Sequence, residues 1–328
     1  MIDKNQATDS LIFRFLRKNT IIIGAKILIS VGLLYYLISS VEYNQIILAL
    51  NKANLVVIGA VILLGAVNIF LQYSKWRLTC AEVLEVNDKF KIFRSLFYGF
   101  SAGIITPLRI GEYFGRGIEF RNKSLVQVTV ATLIDKFFPL MMVASFGSVS
   151  SLLFIYVNYD VSIYIVLSLF IIIFTFFYLL IVLLLSNRFW NSILFSKLNS
   201  SVKLKPFLEK LRIFESLDRT YFFKMVLISF LFYSCFLIQY ALLVSAFSNH
   251  FDFGNYLWAA NLIMFAKTII PPISFGELGI REGASVYFLT QMGETASVGF
   301  NASILLFIIN LLIPALIGVG MFLRKNDN

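Results

Sequence analysis

Residues 100–116 read FSAGIITPLRIGEYFGR, and residues 265–281 read FAKTIIPPISFGELGIR. Aligned at an offset of 165 residues, they share Phe100/Phe265, Ile104/Ile269, Ile105/Ile270, Pro107/Pro272, Gly111/Gly276, Glu112/Glu277 and Arg116/Arg281. Both carry the pattern P-x-x-x-G-E-x-x-x-R. Apolar residues match by chance often, but Pro, Gly, Glu and Arg agreeing in one register do not. The chain therefore reads as an internal repeat.

The surroundings of the two copies say where they sit. The chain is 59% hydrophobic with a mean hydropathy of +0.84, and 14% of its 328 residues are charged. A soluble fold of this size has too little interior for that much apolar surface, so lipid must be the solvent for much of it. Apolar runs at about 20–39, 54–73, 137–157, 161–185, 222–247 and 297–323 are each long enough to cross a hydrocarbon core of about 30 Å. The runs before the two copies, near 92–106 and 257–270, are shorter and end in Pro and Gly. They read as re-entrant segments, which membranes tolerate where backbone is buried in protein or lines a cavity. The expectation is an all-α polytopic membrane protein with about six full transmembrane helices and two re-entrant segments. Three full spans separate the copies, and an odd number turns the second copy over, which gives an inverted-topology repeat. The first run follows Arg14, Arg17 and Lys18 like a signal peptide, but its length and the lack of an A-x-A site favour a retained span.

With the N-terminus inside, segments 1–19, 74–94, 107–123, 186–224 and 324–328 hold 23 of the chain's 28 Lys and Arg. The positive-inside rule then puts both termini in the cytoplasm of a cell (plasma) membrane protein. It also accounts for the net charge of +10 without nucleic acid as a partner. The expected organisation is a cytoplasmic segment at 1–19, one membrane domain at 20–323 and a cytoplasmic tail at 324–328. The repeat halves fall at about 54–157 and 222–323, with a cytoplasmic basic loop at about 186–221. That loop reads either as an interfacial helix against anionic lipid or as a plain loop.

The repeated motif carries chemistry. Pro107 with Gly111, and Pro272 with Gly276 and Gly279, are expected to break the helix and free backbone N–H groups. A helix beginning after each Gly would aim its positive end at a cavity. Arg116 and Arg281 lie one helical turn after Glu112 and Glu277, so each pair can neutralise itself when empty. A guanidinium could then turn to an arriving phosphate with two parallel hydrogen bonds. Arg109 adds a cation in the first copy, where the second has Ser274. Asp135, Lys136 and Lys267 lie in apolar runs and are the other candidates for substrate binding, because charge at membrane depth is costly and defaults to function. For Asp135 and Lys136 the alternative is a capped helix start before Pro139. Lys26 is expected to snorkel to the cytoplasmic side. Asn68, Gln72, Gln239, Asn261 and Asn310 read as interhelical hydrogen bonders. Cys80 and Cys235 read as small apolar residues. One His and no D-x-D pair leave no expected metal, cofactor or catalytic residue.

The segment PPISFGELGIREGASVYFL at 271–289 resembles the signature of the lysylphosphatidylglycerol synthase transmembrane region, also called flippase-like. TPLRIGEYFGRG at 106–117 resembles its first motif. Leu108 and Glu277 stand where that family more often has Gly. The resemblance spans about 20–323 and implies a lipid-handling membrane protein, in which bifunctional members flip an aminoacylated phospholipid and a separate soluble domain performs aminoacyl transfer. Nothing follows the last span here, so lysyltransferase activity is not expected. The leading function is a flippase or transporter for a phosphate-containing, polar-headed lipid. The alternatives are an intramembrane transferase on a lipid-linked substrate and a non-catalytic partner of a lipid-modifying enzyme.

Overall fold

The computed structural model describes residues 43–185, 219–270 and 279–326. Among them there are helices and turns and no strand. The run at 20–39, residues 186–218 of the basic loop, and Pro272, Gly276 and Glu277 lie outside the described residues.

The helices are α1 (Tyr43–Asn51), α2 (Leu55–Val83), α3 (Lys89–Ile105), α4 (Gly111–Gly117), α5 (Leu125–Asn158), α6 (Ile163–Leu185) and α7 (Arg219–Ser248). They continue as α8 (Phe253–Ile269), α9 (Ile280–Gln291), α10 (Ala296–Phe307) and α11 (Ile313–Asn326). A π turn at Ile308–Leu312 joins α10 to α11 into one predominantly apolar rod, Ala296–Arg324. Four helices are long and apolar enough to span a membrane: α2, α5, α7 and this rod. α6 adds a shorter apolar stretch, Ile163–Leu179. The chain is a multi-pass membrane protein.

Side-chain caps set the helix starts. The Asn54 carboxamide accepts the N–H groups of Val56 and Val57, and Asp88 accepts those of Phe90 and Lys91. At α5, Ser124 and Gln127 form a reciprocal capping box. Two expectations change here. The helix expected to end near residue 73 continues to Val83, which takes Lys75 out of a cytoplasmic loop and buries it. The helix expected to begin near 137 begins at Leu125, so Asp135 and Lys136 lie in its interior and are not a capped start. Pro139 does not end it.

Helices α3 and α8 have 17 residues each, or about 25 Å, short of a full crossing. Each ends at the expected break, at Thr106 and Ile270. After the first break the chain doubles back. A Cβ on Gly111 would lie 2.2 Å from the Ala102 carbonyl oxygen, and one on Gly115 2.3 Å from that of Tyr98. Two contacts one turn apart, in reversed order, make α3 and α4 an antiparallel hairpin with touching backbones. Gly115→Ala is expected to wedge it open, at the roughly 1–3 kcal/mol typical of overpacking. Thermal unfolding of the purified protein in detergent reads this as a lower midpoint, while an alanine at Gly59, where nothing lies within 4 Å, should leave the midpoint unchanged.

The bounds of α2 and α3 recur in α7 and α8, 164 or 165 residues later. α2 and α7 pack against each other and run antiparallel: Asn54 N–H donates to Ala246 O, Gln239 to Val61 O, and Thr79 meets Tyr221. Polar residues join the bundle as expected in three cases. Gln239 and Asn310 exchange two hydrogen bonds at 3.3 and 2.9 Å, and Asn261 reaches Phe146 O and Ser150 on α5. Asn68 and Gln72 also bond to each other within α2, at 2.9 Å. Cys80 and Cys235 are free and buried.

Candidate functional site

The first motif folds as a strained turn. Thr106 Oγ1 accepts the Gly111 N–H at 2.6 Å and donates to Ala102 O at 3.0 Å. Between them Leu108 and Arg109 both take left-handed backbone, at φ 53° and 54°. Each costs about 1–2 kcal/mol for a residue with a Cβ. Strain of this kind concentrates at functional sites, and here it aims the Arg109 side chain. One expectation fails at this point. α4 has only seven residues and Thr106 already holds its first N–H, so its N-terminus is no anion site.

The side chains hold the charge. Glu112 receives three cations: Arg116 at 2.7 Å, Lys136 at 2.6 Å and Arg109 at 3.2 Å. Arg116 also binds Asp135 at 2.9 Å, and its guanidinium lies 4.2 Å from the Trp76 ring centre. Asp135 in turn meets Lys75 at 3.1 Å. Thus α2, α4 and α5, with the turn before α4, supply one ionic cluster. Its inner members are sealed, with side-chain exposures of 6% for Lys75, 2% for Asp135, and 3% for Arg116 and Glu112. The outer cations Arg109 and Lys136 are 22% and 32% exposed. Arg116 is held here between two carboxylates and a ring, the self-neutralised pairing expected of the empty site. Arg109 and Lys136 are the cations that a ligand can reach.

Pro139 explains how Lys75 is held. A proline inside a helix has no N–H for the carbonyl four residues earlier, which here is Asp135 O. Lys75 Nζ donates to that oxygen at 2.6 Å, so one ammonium fills the backbone gap and also pairs ionically with the Asp135 carboxylate at 3.1 Å.

The second copy is built differently. Gly279, at φ 93°, begins α9, and its N–H donates to Glu282 Oε2 at 2.6 Å. Arg281 binds Glu282 at 2.5 Å and Ser303 Oγ at 3.0 Å, with its guanidinium 5.3 Å from the Phe307 ring centre. Both Arg281 and Glu282 are buried. Lys267 is half-buried, its ammonium 5.6 Å from the Phe236 ring centre. The repeated arginines thus share a design: each ties the helix after the break to the next long helix and stacks on an aromatic ring.

The family model described as the lysylphosphatidylglycerol synthase TM region matches residues 23–318. The chain belongs to this family. No curated protein and no solved structure gives a significant match.

Membership in the lysylphosphatidylglycerol synthase TM family makes the turn intelligible. Its first motif often carries Gly where this chain has Leu108, and the left-handed backbone there is what a glycine relieves. Sequence reasoning missed Lys75, Trp76, Glu282, Ser303 and Phe307. Two signals were present. Asn68, Gln72, Lys75 and Thr79 are spaced four, three and four apart, so one polar helical face runs on past residue 73. Glu282 directly follows the repeated Arg281.

Proposed function

We propose that this protein is a lipid flippase or transporter that moves a phosphate-containing, polar-headed lipid across a cell membrane. The observation that carries the reading is the ionic cluster on the α3–α4 hairpin, with two reachable cations on a sealed ionic base. Charges so placed in a membrane protein are expensive and are kept for a substrate path. Family membership supports lipid handling. In this reading the two motifs form an inverted-topology repeat with both termini in the cytoplasm. The recurrence of α2 and α3 in α7 and α8, and the antiparallel run of α2 against α7, support it. Interrupted helices at matching positions of two halves are where transporters place their sites. Arg109 and Lys136 hold the phosphate, Glu112 is their counter-ion between turnovers, and Arg116 with Asp135 and Lys75 fixes the base. A lipid-modifying enzyme is a natural partner for supplying the substrate.

The test is lipid movement in proteoliposomes, read by the accessibility of labelled lipids to an external reagent. Wild type is expected to move at least one phosphate-bearing lipid. Arg109→Gln with Lys136→Gln should lower its rate at least about a hundredfold, as the loss of two charge-assisted contacts implies. An unchanged rate in folded double variant would remove these residues from the path.

A further inference from the structure

We infer that Tyr113 is a further contact for the lipid headgroup, its hydroxyl donating a hydrogen bond to a free oxygen of the phosphate that Lys136 holds. This contact rests on the transport reading above and adds to it a residue that recognises the phosphate.

A phenol away from water usually finds a hydrogen-bond partner, because leaving the bond unmade is costly. The described tyrosines follow this rule. Tyr73, Tyr98, Tyr221, Tyr233, Tyr240 and Tyr256 are buried or half-buried, and each hydroxyl bonds to another residue. Tyr113 departs from it. It is half-buried in α4, directly after Glu112. Among the described residues its hydroxyl makes no hydrogen bond, and its oxygen is not sealed inside the protein.

The place of the ring gives that hydroxyl a role. Lys136 Nζ lies 5.1 Å from the Tyr113 ring centre and 2.6 Å from Glu112 Oε2. The ring attracts the ammonium through its π face and carries its own hydroxyl alongside. An anion that meets the ammonium therefore meets the Tyr113 hydroxyl as well. The two groups differ in what they offer. An ammonium is a compact charge whose donors turn freely, whereas the phenol is a neutral donor aimed by its ring. A phosphodiester leaves a pair of oxygens unesterified, one for each group.

The surroundings say that the phosphate arrives on a lipid. Leu133 and Leu140 share the α5 face of Lys136, at i−3 and i+4, and Ile110 stands at i−3 from Tyr113. All three are exposed. A soluble anion would gain nothing from this apolar rim, whereas acyl chains pack on it.

The test is thermal unfolding of the purified full chain in detergent. The probes are short-chain phosphatidylglycerol, a short-chain diacylglycerol without phosphate, and inorganic phosphate. Tyr113→Phe keeps the ring beside Lys136 and removes only the hydroxyl. Its midpoint without ligand is expected to match wild type, because no bond within the protein is lost. The phosphatidylglycerol concentration for half-maximal stabilisation should rise about tenfold, the lower end for a hydrogen bond to a charged group. Tyr221→Phe is the control. It breaks the bond to Thr79, so its ligand-free midpoint should fall while its response to phosphatidylglycerol stays that of wild type. In a Lys136→Gln background, Tyr113→Phe should raise that concentration less than about threefold, since both residues hold one phosphate and their effects are coupled. An unchanged phosphatidylglycerol curve for Tyr113→Phe would overturn the inference, as would a ligand-free midpoint that falls like that of Tyr221→Phe. Diacylglycerol that stabilises as well as phosphatidylglycerol would overturn it too. Inorganic phosphate acting at the same concentrations as phosphatidylglycerol would overturn its lipid part. Proteoliposome transport is a separate readout. The expected Tyr113→Phe shift with no lipid moved by wild type would defeat transport and leave the contact standing, and transport with no such shift would do the reverse.

Discussion

Arg116→Met is expected to lower stability by about 3–5 kcal/mol, the usual consequence of removing one partner from a buried ionic group. Methionine keeps most of the volume beside Trp76, so the loss reports charge and hydrogen bonds more than a cavity. Without the guanidinium, Asp135 Oδ2 loses its donor at 2.9 Å and Glu112 loses its bond at 2.7 Å. α4 also loses one of its ionic ties to α5, keeping that of Glu112 to Lys136 at 2.6 Å. By contrast, Arg109→Gln and Lys136→Gln remove partly exposed charges, whose pairing is screened and contributes at most about 1 kcal/mol each. The measurement is the thermal midpoint of each variant in the same detergent. A large drop for Arg116→Met beside small drops for the other two separates the residue that builds the site from those that meet the ligand. Equal drops for all three would refute that division.

That division was only partly legible in the sequence. The ends of α3 and α8, Arg109, Glu112, Arg116, Asp135 and Lys136 follow from pattern, because Pro, Gly and charged residues are conspicuous against an apolar background. The structure brings all five of those charged residues into one cluster. What the pattern could not give is which arginine is buried. Arg109 and Arg116 are seven residues apart, two turns of helix, and a regular helix would have set them on one face. The left-handed pair Leu108–Arg109 breaks that register, leaving Arg109 at the rim and Arg116 inside. Lys75 was misplaced for a different reason. In sequence, a charge after an apolar run reads as the end of a span, but a helix continues through a charge whose partner lies on a neighbouring helix. Only a tertiary contact with Asp135, 60 residues away, reveals that partner.

Lys75→Met is the second change with a large expected effect, and Pro139 makes it informative. The variant leaves Asp135 O without its donor, at 2.6 Å from Nζ, and takes away the ammonium that pairs with the Asp135 carboxylate at 3.1 Å. The expected loss is again about 3–5 kcal/mol, since the remaining carboxylate is buried and keeps only Arg116. The two parts of that loss can be separated. Pro139→Ala restores the N–H that a helix would place opposite Asp135 O. In wild type the new N–H competes with an ammonium already bonded there, so the change should be close to neutral. In the Lys75→Met background it fills an empty place and should return about 1 kcal/mol, the net contribution of one hydrogen bond. A double-mutant cycle of thermal midpoints therefore predicts a positive coupling between positions 75 and 139, although one is a charge on α2 and the other a ring on α5. No coupling would mean that the lysine serves the carboxylate alone, and that the carbonyl freed by Pro139 is satisfied in some other way.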